Sequence, residues 1–144
     1  MNNFTCSRIW SNILSVAQSN PRLFDFFKEN VEIKVGNGRR IMFWEDAWKG
    51  SYCLKDKYLP LFSISIDKGV TLKEMVHRKY CFADWILRFR RNLRIWEDEE
   101  LRILKVDLGN GPVLCLDSWD KLRWKVGSSG CFNIKAAYNW CEMS

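Results

Sequence analysis

Glu45 and Asp46 stand together between Trp44 and Trp48, a pairing that in other settings holds a metal ion or exchanges protons. Adjacent residues on a strand point to opposite faces, so these two carboxylates diverge from any single ion. They read as a polar strand end between buried tryptophans. The turn Gly36-Asn37-Gly38, followed by Arg39 and Arg40, offers backbone amides and guanidinium groups to a phosphate. Its spacing matches neither a P-loop nor a dinucleotide fingerprint, both of which run a strand into a helix. A hairpin with solvated arginines explains it better, with phosphate contact secondary. In the run Trp96-Glu97-Asp98-Glu99-Glu100, consecutive carboxylates fan around a helix axis and share no site, which leaves a solvated helix start. His77 and Cys81 have a spacing that zinc accepts on a helix, but a structural site wants four ligands and no CxxC pair supplies the rest. No cysteine among the six has an activating context. The residues therefore predict no catalytic set, no metal and no cofactor, and the chain reads as a non-enzyme.

Binding chemistry is more plausible than catalysis. The chain carries a net charge of +6 with a pI near 9.1, a balance that favours an acidic partner such as RNA or DNA. In WILRFRRNLRIW, Arg88, Arg90, Arg91 and Arg94 interleave with Phe89, Leu93 and Trp96, so one face can pack while the other meets phosphates. The competing reading is a solvated surface, or pairing with the acids from Glu97 to Glu100. Charge alone supports only sequence-independent binding. Arg39 and Arg40 join these four as candidate nucleic-acid contacts.

The elements that must position these residues can be read from periodicity. Hydrophobic residues make up 47% of the chain and tryptophans number eight, enough to build a core. Residues 7–18 have helical spacing, and a short second helix is predicted from Arg22 to Glu29. Val31, Ile33 and Val35 alternate with Glu32 and Lys34 as in a half-buried strand. Gly36 and Gly38 then suit a tight hairpin, with Arg39 to Trp44 as the return strand. Trp44 and Trp48 are expected to bury against this hairpin and the central helix, with Arg39, Arg40, Glu45 and Asp46 at its wetter edges. Thr71 and Glu74 form a capping-box pattern opening a short helix. Residues 84–88 fit either an extended segment or a helix start. The longest helix is predicted over about 92–108, with Leu93, Trp96, Leu101, Leu104 and Leu108 on one face, stopped by Gly109-Asn110-Gly111-Pro112. Leu122, Trp124 and Val126 alternate with Arg123 and Lys125 before a Gly-Ser-Ser-Gly turn, a second strand and a helix capped by Asn133. That last helix is cut off by the chain end, as in a truncated module.

The expected fold class is α+β: a small assembly of two hairpins and helices, and a fragment of a larger polyprotein. The scattered cysteines and the absence of a secretory signal suggest reduced thiols in an intracellular protein. No apolar segment has the length to span a membrane.

Three blocks together carry a family resemblance: VGNGRRIMFWEDAWKG, WILRFRRNLRIWEDEEL and DSWDKLRWKVGSSGCFNIKAAY. In order and spacing, over roughly residues 7–140, the chain resembles the polyprotein of plant LINE-type (non-LTR) retrotransposons, in the region that follows the reverse transcriptase domain. The resemblance implies two parts. Residues 1–112 would be a post-polymerase connector, and residues 113–144 the start of a reverse-transcriptase zinc-binding domain without its zinc ligands. The polymerase aspartates and a ribonuclease H carboxylate set have no counterpart here. The resemblance therefore implies a non-catalytic fragment that retains weak, non-specific RNA or DNA binding. The alternatives are a protein-interaction module, docking through an apolar tryptophan-rich surface, and a retrotransposon relic without function.

Overall fold

The structure is a computed structural model that describes residues 9–10 and 20–125, except for the side chains at positions 24 and 28. Apart from Ile9 and Trp10, the predicted helix over 7–18 lies outside the described residues, as do the far strand of the second hairpin and the final helix.

Asn20 caps the first described helix, α1 (Pro21–Asn30), through its Oδ1, which accepts the Leu23 N–H at 3.2 Å. Pro21 sits in the first turn, where its missing N–H leaves no bond unmade. The chain passes directly into strand β1 (Val31–Lys34), which buries Val31 and Ile33 and exposes Lys34. Its partner is strand β2 (Lys121–Trp124), antiparallel, with Val31 opposite Trp124, Glu32 opposite Arg123, Ile33 opposite Leu122 and Lys34 opposite Lys121.

This pairing corrects the predicted first hairpin. Residues 39–44 do not return along β1, because β2 occupies that position. Instead residues 41–43 align with residues 70–72. The Leu72 N–H donates to the Ile41 carbonyl at 2.8 Å, the Phe43 N–H donates to the Val70 carbonyl at 3.0 Å, and Met42 bridges Thr71. The glycine turn does bend the chain, with Gly38 at φ 79°. Its amides, however, serve a distant carboxylate instead of a hairpin ladder.

Two short helices follow, α2 (Leu54–Lys57) and α3 (Leu59–Ile64). Thr71 then caps α4 (Leu72–Phe82), its Oγ1 accepting the Glu74 N–H at 3.2 Å as the capping pattern predicts. Residues 84–94 form no helix, which rules out the helix start considered for 84–88 and moves the start of the long helix from about residue 92 to Ile95. Ser65 bridges Phe89 there, with the Ile66 N–H donating to the Arg88 carbonyl at 3.1 Å and the Arg90 N–H to the Ile64 carbonyl at 2.9 Å. The longest described helix, α5 (Ile95–Leu108), ends at Gly109 with φ 57°. Helices with one two-stranded antiparallel ribbon make this a small α+β fold.

The core joins Ile41, Phe43, Trp44, Leu54, Leu61, Leu72, Met75, Leu104 and Leu108. Trp44 meets Phe43 and Phe62 edge-on, with ring centroids 5.4 and 5.6 Å apart. Half-buried Trp48 packs on Phe43 and donates its indole N–H to the Phe43 carbonyl at 2.9 Å. Two expected surface residues are inside. Asp46 is buried, its Oδ2 accepting the Met42 N–H at 2.6 Å, so it closes its own turn. Glu97 is buried too and takes the inward place expected for Trp96, which is 53% exposed. Glu97, Leu101, Leu104 and Leu108 have the i, i+4, i+7 spacing of one helix face, from which Trp96 is rotated away.

α5 is tied to the α2–α3 region through Asp107. Its carboxylate accepts the Tyr52 hydroxyl at 2.9 Å, the Tyr58 hydroxyl at 2.8 Å and the Lys57 ammonium at 2.9 Å. Burial, followed by the hydrogen bond to Asp107, pushes the Tyr58 phenol up to about 12. Among the described residues no helix is long and apolar enough to cross a membrane.

Candidate nucleic-acid interface

The glycine turn is where the sequence offered amides to a phosphate, and the structure places a carboxylate there. Asp120, just before β2, directs Oδ1 at the N–H groups of Gly36 and Gly38, at 2.7 and 2.8 Å, and Oδ2 at that of Arg40, at 2.9 Å. Asp120 is 2% exposed. The amides that a phosphate would need are thus donated to the chain itself. Asn37 supports the turn by accepting the Arg39 N–H at 3.0 Å. A Cβ on Gly36 would fall 2.5 Å from the carbonyl oxygens of Ser118 and Trp119, so this close approach requires glycine.

The six candidate arginines divide by what they face. Arg88 grips Asp67 in a fork, Nη2 to Oδ1 at 2.7 Å and Nε to Oδ2 at 3.0 Å, while Arg78 reaches the same carboxylate at 3.0 Å. These hydrogen bonds hold Asp67 below the usual carboxylate range, that of Arg88 contributing most. Arg91 grips buried Glu97 with both Nη atoms, each at 2.8 Å, and the Arg94 N–H adds a bond at 2.9 Å. Glu97 is accordingly drawn down to about 2, first by Arg91 and then by the Arg94 amide. The predicted pairing of the arginine cluster with the acidic run is therefore present at one bridge, Arg91 to Glu97.

Arg39, Arg40, Arg90 and Arg94 are exposed and form no ion pair among the described residues. Arg90 and Arg94 belong to the non-helical segment before α5. Arg39 and Arg40 belong to the glycine turn, where the Arg40 guanidinium lies over the Trp119 ring at 4.7 Å from its centroid. The six arginines thus mark two regions of the fold, the glycine turn and the segment before α5.

His77 and Cys81 approach to 3.6 Å on the exposed side of α4. Among the described residues no three His, Cys, Asp or Glu side chains gather as a metal group would require.

No family model, curated protein or solved structure matches this chain.

The sequence reading missed Asp120 and, with it, Lys34, Lys121 and Trp119 beside the turn. The alternation of Leu122 and Trp124 with Arg123 continues backwards to put Trp119 and Lys121 on the outer side and Asp120 within. That period was available, but the partner strand, far away in the chain, was not.

Proposed function

We propose that this chain is a non-catalytic segment derived from a LINE-type reverse transcriptase polyprotein, and that it binds RNA or DNA without sequence preference. The observation that carries the binding is the exposure of Arg39, Arg40, Arg90 and Arg94, none of which forms an ion pair among the described residues. Exposed guanidinium groups without an ion-pair partner can displace counterions from a phosphate backbone. Arg88 and Arg91 contribute less, because each already spends its fork on a carboxylate. The descent rests on the three ordered blocks of sequence.

The test compares two sets of substitutions in a salt titration against fluorescent single-stranded RNA. Arg39, Arg40, Arg90 and Arg94 changed together to Gln should lower affinity and flatten the salt dependence. Changing Arg88 and Arg91 to Gln should chiefly lower stability. Unchanged affinity and slope in the first set would contradict the proposal.

Exposed Ile95, Trp96, Ile103 and Val106 on α5 favour a second reading, contact with a protein partner. An apolar contact of that kind would be nearly insensitive to salt, which separates it from phosphate binding.

A further inference from the structure

The outer face of the β1–β2 ribbon holds an arrangement that folding alone disfavours. Lys34 and Lys121 are direct cross-strand partners, and both are exposed. Like charges directly opposite each other in an antiparallel pair are destabilising. The next pair on the same face shows the ordinary solution, Glu32 facing Arg123 with an ion pair at 2.5 Å. Lys34 and Lys121 form no ion pair among the described residues.

On the other side of the lysine pair the face continues into Trp119. Asp120 turns inward to the glycine amides, so Trp119 and Lys121 share the outer side. Opposite Trp119 lies Gly36, whose missing side chain lets the two backbones touch. The ring is 53% exposed. The Arg40 guanidinium lies over it at 4.7 Å, adding a further positive charge to the surface. Arg39, the preceding residue of the turn, is also exposed.

Resting on the nucleic-acid reading above, we infer that this ribbon face is a binding site for single-stranded nucleic acid, with Lys34, Lys121 and Arg40 on the phosphates and Trp119 as a stacking surface for a base. Single-strand sites combine a positively charged track with an aromatic platform, and every base presents a face to stack. A duplex buries its base faces and could use only the lysines and arginine. The Asp120 clasp gives the site its rigidity, because the same carboxylate fixes the turn that carries Arg40 and the strand that carries Lys121.

The test uses the full chain and fluorescent 20-mers of single-stranded RNA and duplex DNA, about 20 nucleotides being enough to cover an ordinary single-strand site. Lys34→Gln with Lys121→Gln should make the slope of log affinity against log salt shallower by about 1.4, the contribution of two phosphate contacts on a single strand. The same change removes a repulsion, so the thermal midpoint should hold or rise while binding falls. Trp119→Ala should weaken single-strand binding about tenfold with little change in slope, and leave duplex binding unaltered. Trp119→Phe, which keeps a stacking ring, should restore most of that loss. If these variants bind like the parent while Arg90→Gln with Arg94→Gln abolishes binding, the ribbon site is wrong and the broader nucleic-acid reading stands. If the parent chain shows no salt-dependent binding, both fall. Equal losses for duplex and single strand with Trp119→Ala would overturn the stacking role.

Discussion

Asp120 Oδ1 accepts the Gly36 N–H at 2.7 Å across a separation of 84 residues. That bond, with those from Gly38 and Arg40, makes the glycine turn a clasp for the segment just before β2. Asp120→Ala would leave three buried or half-buried amide donors without their acceptor. Each costs about 1–3 kcal/mol, so a loss of at least about 3 kcal/mol is expected in urea unfolding. Asp120→Asn keeps one acceptor oxygen and should lose roughly half as much. A variant as stable as the parent would show that the clasp contributes nothing.

Alkaline pH should loosen the Asp107 hub. The Tyr58 phenol is held at about 12 in the folded chain, above the ordinary value of 10.0. The folded state therefore holds this proton more tightly than the unfolded state does. The resulting stabilisation is full below about pH 10 and is lost as pH rises through the folded value near 12. Urea midpoints taken across that window should fall more steeply for the parent than for Tyr58→Phe. At neutral pH the same variant should cost about 1 kcal/mol for the missing hydrogen bond to Asp107.

Acid should act on the bridge from Arg91 to Glu97. Glu97 titrates near 2 in the fold against an ordinary 4.5, so its stabilising effect is present above about pH 4.5 and is lost as pH falls toward 2. Asp67 and Asp107 are also lowered, the first by Arg88 and Arg78, the second because bonds from Lys57 and the tyrosines outweigh its burial. Glu97→Gln should therefore make the acid limb of the stability curve shallower without abolishing it. Arg91→Ala should be worse than Glu97→Gln at neutral pH, because it strands a carboxylate that is 2% exposed.

What the sequence disclosed was local. The Thr71 cap, the glycine stop of α5, the strand period at Val31 and Ile33 and the burial of Trp44 all depend on neighbours within a turn or two, and all are found. The partner of β1 depends on a contact between residues far apart in the chain, and a Gly-Asn-Gly turn between two apolar runs gave a stronger local signal for the wrong partner. Glu97 and Asp46 went inside for a related reason. A carboxylate is ordinarily placed at the surface unless its partner is known, and here the partners are a folded-back arginine and a backbone amide. Of the six arginines, residue type identified the basic surface, but only geometry separated those gripping Asp67 and Glu97 from those left exposed.

The most direct measurement is the salt dependence of the parent chain binding to single-stranded RNA, with circular dichroism showing it folded. If the four exposed arginines engage phosphates, log affinity should fall against log salt with a slope of about −3, at roughly 0.7 per phosphate contact, and of about −4 if Lys34 and Lys121 engage as well. A folded chain with no measurable affinity, or with an affinity indifferent to salt, would contradict a role in nucleic-acid binding.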